Sequence, residues 1–312
     1  MAAGDVMLGR TIGEAIGQFG PLWPFERVSD VLRAADVAFV NLESPLTERG
    51  ERAAKDFVFR GPLAGAAGLA EAGVDVVSLA NNHALDYGLQ GLADTRGALA
   101  ATGVAYAGAG DDETSARAPA IIQRNGLRLA FLAYVNTPSD SVSGFDVSTT
   151  AATADHPGVA WLTPQAVAAD VTAAKRAADV VIVSMHTGYE YQEQPNELQI
   201  TAARVAIDAG ASLVLGHHPH VLQGIERYGQ GLIIYSLGNF VFDFDSVDYA
   251  QPGPPSALSA MLRVEVTQDG VTGCELVPVV IDEADGRPRP ASGAEAQAVL
   301  DRMRRLSDGS CQ

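Results

Sequence analysis

Val74-Asp75-Val76-Val77-Ser78-Leu79, followed at once by Ala80-Asn81-Asn82-His83-Ala84-Leu85-Asp86-Tyr87-Gly88, decides the fold of this chain. The first stretch is a short apolar run, the pattern of a strand buried on both faces of a sheet. The second leads into helical spacing over about 89–101, closed by Gly103. Strand, turn and helix in that order form the repeating unit of an α/β protein. In open α/β sheets, ligands sit beyond the carboxyl ends of the strands. A plain turn at that place needs only Gly, Asn or Asp. This one carries two amides, an imidazole and a carboxylate, which is the composition of a polar site.

The same unit recurs on both sides. Upstream, residues 3–8 read as a strand carrying Gly4-Asp5, and 24–35 as a helix opening on a proline. Residues 37–40 then form a strand delivering Asn41-Leu42-Glu43-Ser44-Pro45. Residues 47–56 are a charged loop, and 63–72 a helix ended by Gly73. Downstream, 104–107 is a short strand, and 120–132 a hairpin across Asn125-Gly126. Residues 137–158 are rich in Ser, Thr, Asp and Gly without a period, so they read as a long functional or mobile loop. A helix capped by Thr163 runs to about 178. Strand 179–185 delivers His186-Thr187-Gly188-Tyr189-Glu190. Helix 197–209 leads to strand 212–215, which delivers Gly216-His217-His218-Pro219-His220. Hairpins follow over 222–235 and 258–280. No repeat or proline-rich linker divides the chain, so residues 1–290 read as a single domain. Residues 291–312 read as a peripheral tail with an exposed helix over 294–306.

Bulk properties exclude several classes. A hydrophobic content of 47% in 312 residues supports a sizeable core. Net charge of −17 and a pI near 4.6 argue against nucleic acid as a partner, and mildly against any long polyanion unless metal ions reverse the local field. Two cysteines, Cys274 and Cys311, predict neither a disulfide framework nor a cysteine zinc site. No apolar run approaches the roughly 18 to 20 residues of a membrane span. The opening residues lack a signal peptide's basic and apolar regions. The expectation is a soluble chain, cytoplasmic, or extracytoplasmic if a segment lies upstream.

Polar groups concentrate at five strand ends. These are Asp5; Asn41 and Glu43; Asn82, His83 and Asp86; His186 and Glu190; and His217, His218 and His220. A lone strand-end Asp is usually a turn former, and a lone His usually structural. Here all but one of the six histidines occupy such ends; His156, in the long loop, reads as solvated. A mixed imidazole, carboxylate and amide set suits Zn, Mn or Fe better than Mg or Ca. His218-Pro219-His220 is expected to run extended, which would aim both rings the same way. A metal-free acid/base pocket is the competing reading. Dinucleotide, phosphate-loop and G-x-S-x-G motifs are absent from the sequence.

These blocks carry a family resemblance. Gly4-Asp5-Val6-Met7-Leu8-Gly9-Arg10, Asn41-Leu42-Glu43-Ser44-Pro45-Leu46, Ala80-Asn81-Asn82-His83 with Asp86-Tyr87-Gly88, His186-x-Gly188-x-Glu190, Gly216-His217-His218-Pro219-His220 and Tyr235-Ser236-Leu237-Gly238-Asn239-Phe240 together resemble the CapA family. That family is associated with capsule and poly-γ-glutamate synthesis, within the calcineurin-like metallophosphoesterase superfamily. The resemblance runs from about residue 3 to 245. It implies a four-layer α/β/β/α sandwich with a dinuclear divalent-metal site (Mn, Zn or Fe; one or two ions, or none).

Position by position, it implies Asp5, Asn82, His186, His218 and His220 as metal ligands, with His217 a rival for one place. It implies His83 as the acid that protonates a leaving group. Asp86 is then the carboxylate that holds its ring, and Glu43 a further catalytic candidate. Arg10 is either an anion anchor or a salt-bridge partner. Asn41, Glu190, Asn239 and His217 complete the candidate substrate contacts. The chain departs from the superfamily in having Met7 where a histidine is expected, and no clean bridging aspartate. One metal position is therefore short of a ligand unless Glu43 or Glu190 fills it.

Three functions follow as expectations. One is a metal-dependent hydrolase of a phosphoester, or of an amide bond in a poly-γ-glutamate-type polymer. The second is a metal-independent epimerase or lyase. The third is a non-catalytic component that binds an anionic polymer within a capsule-synthesis complex.

Overall fold

A computed structural model describes residues 1–139, 143–244, 256–309 and 311. The first half of the chain contributes β1 (Ala2–Val6), α1 (Arg10–Phe19), α2 (Ser29–Arg33), β2 (Phe39–Leu42), α3 (Gly65–Ala72), β3 (Val76–Ser78), α4 (Gly88–Thr102) and β4 (Ala105–Ala107). The middle contributes β5 (Ala109–Gly110), α5 (Glu113–Ala116), β6 (Ala120–Arg124), β7 (Leu127–Asn136), β8 (Gly158–Val159), α6 (Pro164–Ala174), β9 (Val180–Thr187), α7 (Glu197–Asp208), β10 (Leu213–His217), β11 (Ile225–Tyr228) and β12 (Gly231–Ile234). The end contributes β13 (Asn239–Val241), β14 (Leu258–Thr267), β15 (Gly270–Ile281), β16 (Pro288–Pro290) and α8 (Gly293–Leu306).

Two sheets face each other. The first runs β16-β15-β14-β1-β2-β3-β4, with β13 also paired to β1. The second runs β11-β12-β10-β9-β7-β6. Around β1 to β4 and around β7, β9, β10 and β12 the pairing is parallel, as strand–helix–strand units require. Helices cover the outer faces, giving the α/β/β/α sandwich expected. Strand alternation shows the layering. In β9, Val180 and Ile182 join the core between the sheets, whereas Val181, Val183 and Met185 join the core beneath α6 and α7. Phe39 of β2 stacks on Phe131 of β7 across the sheet interface, with ring centres 5.7 Å apart.

The β1–β13 contact leaves no room for a side chain. A Cβ at Gly4 would lie 1.9 Å from the Gly238 carbonyl oxygen. The Asn125-Gly126 turn has positive φ at both residues, as a tight two-residue hairpin demands. Thr163 caps α6 through the Ala166 amide, as read from the sequence.

Several expectations are corrected. Residues 10–19, to which the sequence pattern assigns no element, form α1, burying Ile12 and Ile16. The helix expected over 24–35 is a 3₁₀ turn at Trp23–Phe25 and the short α2. Between them Val28, with φ −127°, leaves the helical region. Cys274 and Cys311 are paired as a disulfide, their Cα atoms 5.4 Å apart, because the tail turns back along β15. The C-terminal helix is not merely exposed, since Val299, Arg302 and Met303 of α8 are buried. Residues 140–142 of the long loop, and 310 and 312 of the tail, lie outside the described residues. Among the described residues no helix is long and apolar enough to cross a membrane.

Candidate functional site

The alternation that builds the core between the sheets also builds the site. On β2 the inward row is Phe39, Asn41 and then Glu43; on β10 it is Leu213, Leu215 and His217; on β9 it is Val180, Ile182, Ser184 and His186. Each row is apolar at its amino end and polar at its carboxyl end. A cavity of about 430 Å³ at the apolar end is lined by Phe39, Phe131, Ile182, Leu213 and Leu215. At the opposite end, side chains from both sheets converge.

Asp5, on β1, is fully buried at the centre of this cluster. It accepts a hydrogen bond from Asn41 Nδ2 at 2.9 Å and from the His218 backbone amide at 3.2 Å. His217 Nδ1 lies 3.2 Å from one oxygen and His220 Nδ1 3.5 Å from the other. Burial alone would raise the Asp5 carboxyl; His217, helped by His186 and His220, outweighs it and holds the group below the usual carboxylate range. Glu43 has the opposite fate. It is also fully buried, and among the described residues neither of its oxygens has a hydrogen-bond partner. Burial, with the charges of Asp5 and Glu190, raises its pKa well above normal.

The histidines surround these carboxylates. His186 Nε2 lies 2.8 Å from Asn82 Oδ1 and 3.3 Å from Glu43 Oε1, while its Nδ1 lies 3.2 Å from Asn41 Nδ2. His220 Nδ1 lies 2.8 Å from Asn239 Oδ1, a contact that orients the ring, and its Nε2 is 3.8 Å from Glu43. His218 Nδ1 has no hydrogen-bond partner among the described residues. Burial lowers the pKa of His186 well below normal, and that of His218 to about 3; neighbouring histidines add to both effects.

Donor atoms fall into three overlapping groups: Glu43, His186 and His218; Glu190, His218 and His220; Asp5, Glu43 and His220. Within each group the donors lie within 4.8 Å of one another. The residues fit divalent metal. A buried carboxylate without hydrogen bonds, set among imidazoles with unused nitrogens, is costly unless a cation satisfies it. Glu43 and Glu190 both fall in the donor groups, the two residues that the sequence offers for the missing ligand. Met7 supplies nothing there; its sulfur accepts the Gly9 amide.

His83 stands beside this centre. Its Nδ1 is 2.7 Å from Asp86 Oδ2, and its ring stacks on Phe59 at 4.0 Å. Burial and the charge of Lys55 push its pKa down to about 4, against the pull of Asp86. Lys55 is a site residue the sequence reading missed. Its Nζ lies 2.6 Å from Asp86 Oδ1 and 2.7 Å from the Asn82 carbonyl oxygen, with the side chain 4% exposed. Asn81, also passed over as a ligand, ties the turn to β2 by donating to the Leu42 carbonyl oxygen.

Other candidates take different parts. Arg10 is not a free anion anchor; it pairs with Asp243 at 2.7 Å and lies over Phe59 and Phe242. Asn41, Asn239 and His217 are buried, Asn41 against Asp5, Asn239 against His220 and His217 beside Asp5. Glu190 is exposed at the rim, beside exposed Tyr189. The extended path expected for His218-Pro219-His220 is wrong. His218 has φ 96° and His220 φ 56°, so the segment turns in left-handed geometry. Both rings reach the same donor group by that turn and not by strand alternation. His156 is exposed beside Asp155, as read.

The description bacterial capsule synthesis protein PGA_cap belongs to a family model that matches residues 1–244. Capsule biosynthesis protein CapA of Bacillus anthracis is 33% identical over 299 residues, covering 93% of this chain and 69% of that protein. PGA biosynthesis protein CapA of Bacillus subtilis (strain 168) is 34% identical over 300 residues, covering 95% and 75%. Among solved structures, a hypothetical protein from Thermus thermophilus shares the fold. The TM-score is 0.53 at 17% identity, over 88% of this chain and 95% of that one.

Proposed function

The chain belongs to the bacterial capsule synthesis protein family PGA_cap, and from that premise we propose that it is a metal-dependent hydrolase of an anionic substrate. The bond cut is a phosphoester or an amide in a poly-γ-glutamate-type polymer, and the setting is a capsule-synthesis complex. The observation that carries this reading is Glu43, buried without a hydrogen bond among His186, His218 and His220. Asp5, Glu43, Glu190, His186, His218 and His220, with the Asn82 amide oxygen, would hold one or two ions of Mn, Zn or Fe. Bound there, divalent metal supplies positive charge against the negative charge that develops in phosphoryl or acyl transfer.

The chain's own residues do the rest. Asp86 fixes the His83 ring through Nδ1, leaving Nε2 on the opposite edge as the atom that exchanges a proton with the substrate. Lys55 holds Asp86 and the turn backbone in place. Phe59 covers one face of the His83 ring.

The test is elemental analysis of protein purified without added metal, with hydrolysis of bis(p-nitrophenyl) phosphate and chain-length analysis of poly-γ-glutamate. The expected result is bound Mn, Zn or Fe, and cleavage of one substrate that chelator or His218→Ala removes. His83→Asn should retain the metal and lose on the order of 10²–10⁴-fold in rate. Metal-free protein with undiminished cleavage would overturn the proposal. One observation favours the metal-independent epimerase or lyase instead: burial raises the pKa of Glu43, the direction a proton-transfer carboxyl needs. Solvent deuterium appearing at a substrate α-carbon in the presence of chelator would identify that reaction.

A further inference from the structure

Among the donors of the centre, Glu190 is exposed and lies on the irregular connection between β9 and α7, whereas Asp5, Glu43, His186, His218 and His220 are buried. Its position therefore depends on what anchors that connection. The Tyr191 amide donates to the Pro219 carbonyl oxygen at 2.8 Å, between the two histidines that share Glu190's donor group. Gln223 Nε2 donates to the Gln192 carbonyl oxygen, also at 2.8 Å. Glu193 lies 2.9 Å from Arg302 Nη2, and Arg302 belongs to the C-terminal helix α8.

That helix is itself held fast. Val299 and Met303 pack into the core. The hydroxyl of Ser307 accepts from the Ile225 amide and the carboxylate of Asp308 from the Arg227 amide, both at 2.9 Å. Beyond them, Cys311 is bonded to Cys274 of β15. The Arg302 side chain is 5% exposed, and Glu193 is the carboxylate paired with its guanidinium; the contact is one of charge, because Nε and Nη2 make no hydrogen bond among the described residues. Only Tyr191 and Gln192 separate the donor Glu190 from the ion-paired Glu193.

We propose that Arg302 is a positioning residue for the metal centre: through Glu193 it fixes the connection that carries Glu190. The C-terminal helix thereby sets the affinity of the position shared by Glu190, His218 and His220. This rests on the metal-dependent reading of the site. It assigns a functional part to a stretch far from the strand ends that form the rest of the centre.

The experiment is titration of chelator-stripped full-length protein with Mn²⁺ by calorimetry, comparing wild type, Arg302→Met, Arg302→Lys and Glu193→Gln. Methionine keeps the length and apolar packing of the arginine stem and removes its charge. Arg302→Met should weaken Mn²⁺ binding by on the order of tenfold, the lower end for loss of an outer contact. Arg302→Lys should recover part of that loss. Glu193→Gln should match Arg302→Met, and the double variant should be no worse than either single one. Wild-type affinity in Arg302→Met would overturn the inference, as would additive losses in the double variant. If Arg302→Met melts early without metal, the Arg302→Lys and Glu193→Gln titrations decide by the same criteria. Wild-type protein that binds no Mn²⁺, Zn²⁺ or Fe²⁺ would overturn the metal reading itself and this inference with it.

Discussion

Lys55 joins three groups of the turn after β3: Asp86, the Asn82 carbonyl and the edge of the His83 ring. Replacing it by methionine leaves Asp86 as a buried carboxylate without its cationic partner. Breaking a buried pair in this way costs about 3–5 kcal/mol. Urea unfolding of Lys55→Met should show a loss of that order; a loss within about 1 kcal/mol would mean that water compensates Asp86. The contrast between Lys55 and His83 shows what a single sequence discloses. His83 and Asp86 lie three positions apart in one turn, so their pairing was readable from spacing. Lys55 sits 31 positions from Asp86, in a stretch that reads as a charged loop, and only the closed fold buries it. His218 and His220 were readable as candidates but not in their geometry. Left-handed backbone before and after a proline contradicts the local preference, and the surrounding structure imposes it.

Strands followed by polar turns were the easiest elements to read, because a buried parallel strand must be apolar and its carboxyl end need not be. The helix α1 was hidden by Gly13 and Gly17, which lower its helix propensity. The partnership of Cys274 and Cys311 was hidden because two cysteines carry no information about whether their segments meet. Between elements, α4 is clamped to the loop after β2 by one carboxylate. Asp94 accepts hydrogen bonds from Arg49 Nε at 3.1 Å, Thr47 Oγ1 at 2.6 Å and Gln90 Nε2 at 2.9 Å. The Arg49 guanidinium, with the hydroxyl and amide, lowers its pKa to about 2. A depressed carboxylate stabilises the fold above its unfolded value of 3.8, and that contribution fades as pH falls toward 2. Asp94→Asn should therefore unfold at lower urea than wild type at pH 6, and the gap should shrink between pH 4 and pH 2. A gap independent of pH would assign the clamp to shape and not to charge.

At the scale of the whole molecule, the centre draws donors from both sheets. An ion bound there ties β1 and β2 to β9 and the segment after β10. Metal should raise the melting temperature, with a stabilisation of about 2.7 kcal/mol when free ion reaches a hundredfold excess over its dissociation constant. Thermal scans with Mn²⁺ and with chelator would measure it. Equal melting in both would leave the two sheets without a shared ion. Strands, helices and a polar carboxyl edge were legible from periodicity; the two packed sheets with helices outside were what the family resemblance implied.

The pairing of β1 has one more consequence. Among the described strands it is synthesised first, yet β13 and β14, more than 230 residues later, complete its surroundings. A nascent chain stopped before residue 239 lacks both of these partners and leaves β1 as a raw sheet edge, open to pairing with another copy. Such distant closure makes folding slow and late. The earliest strand of the sheet is thus the one whose surroundings are finished last.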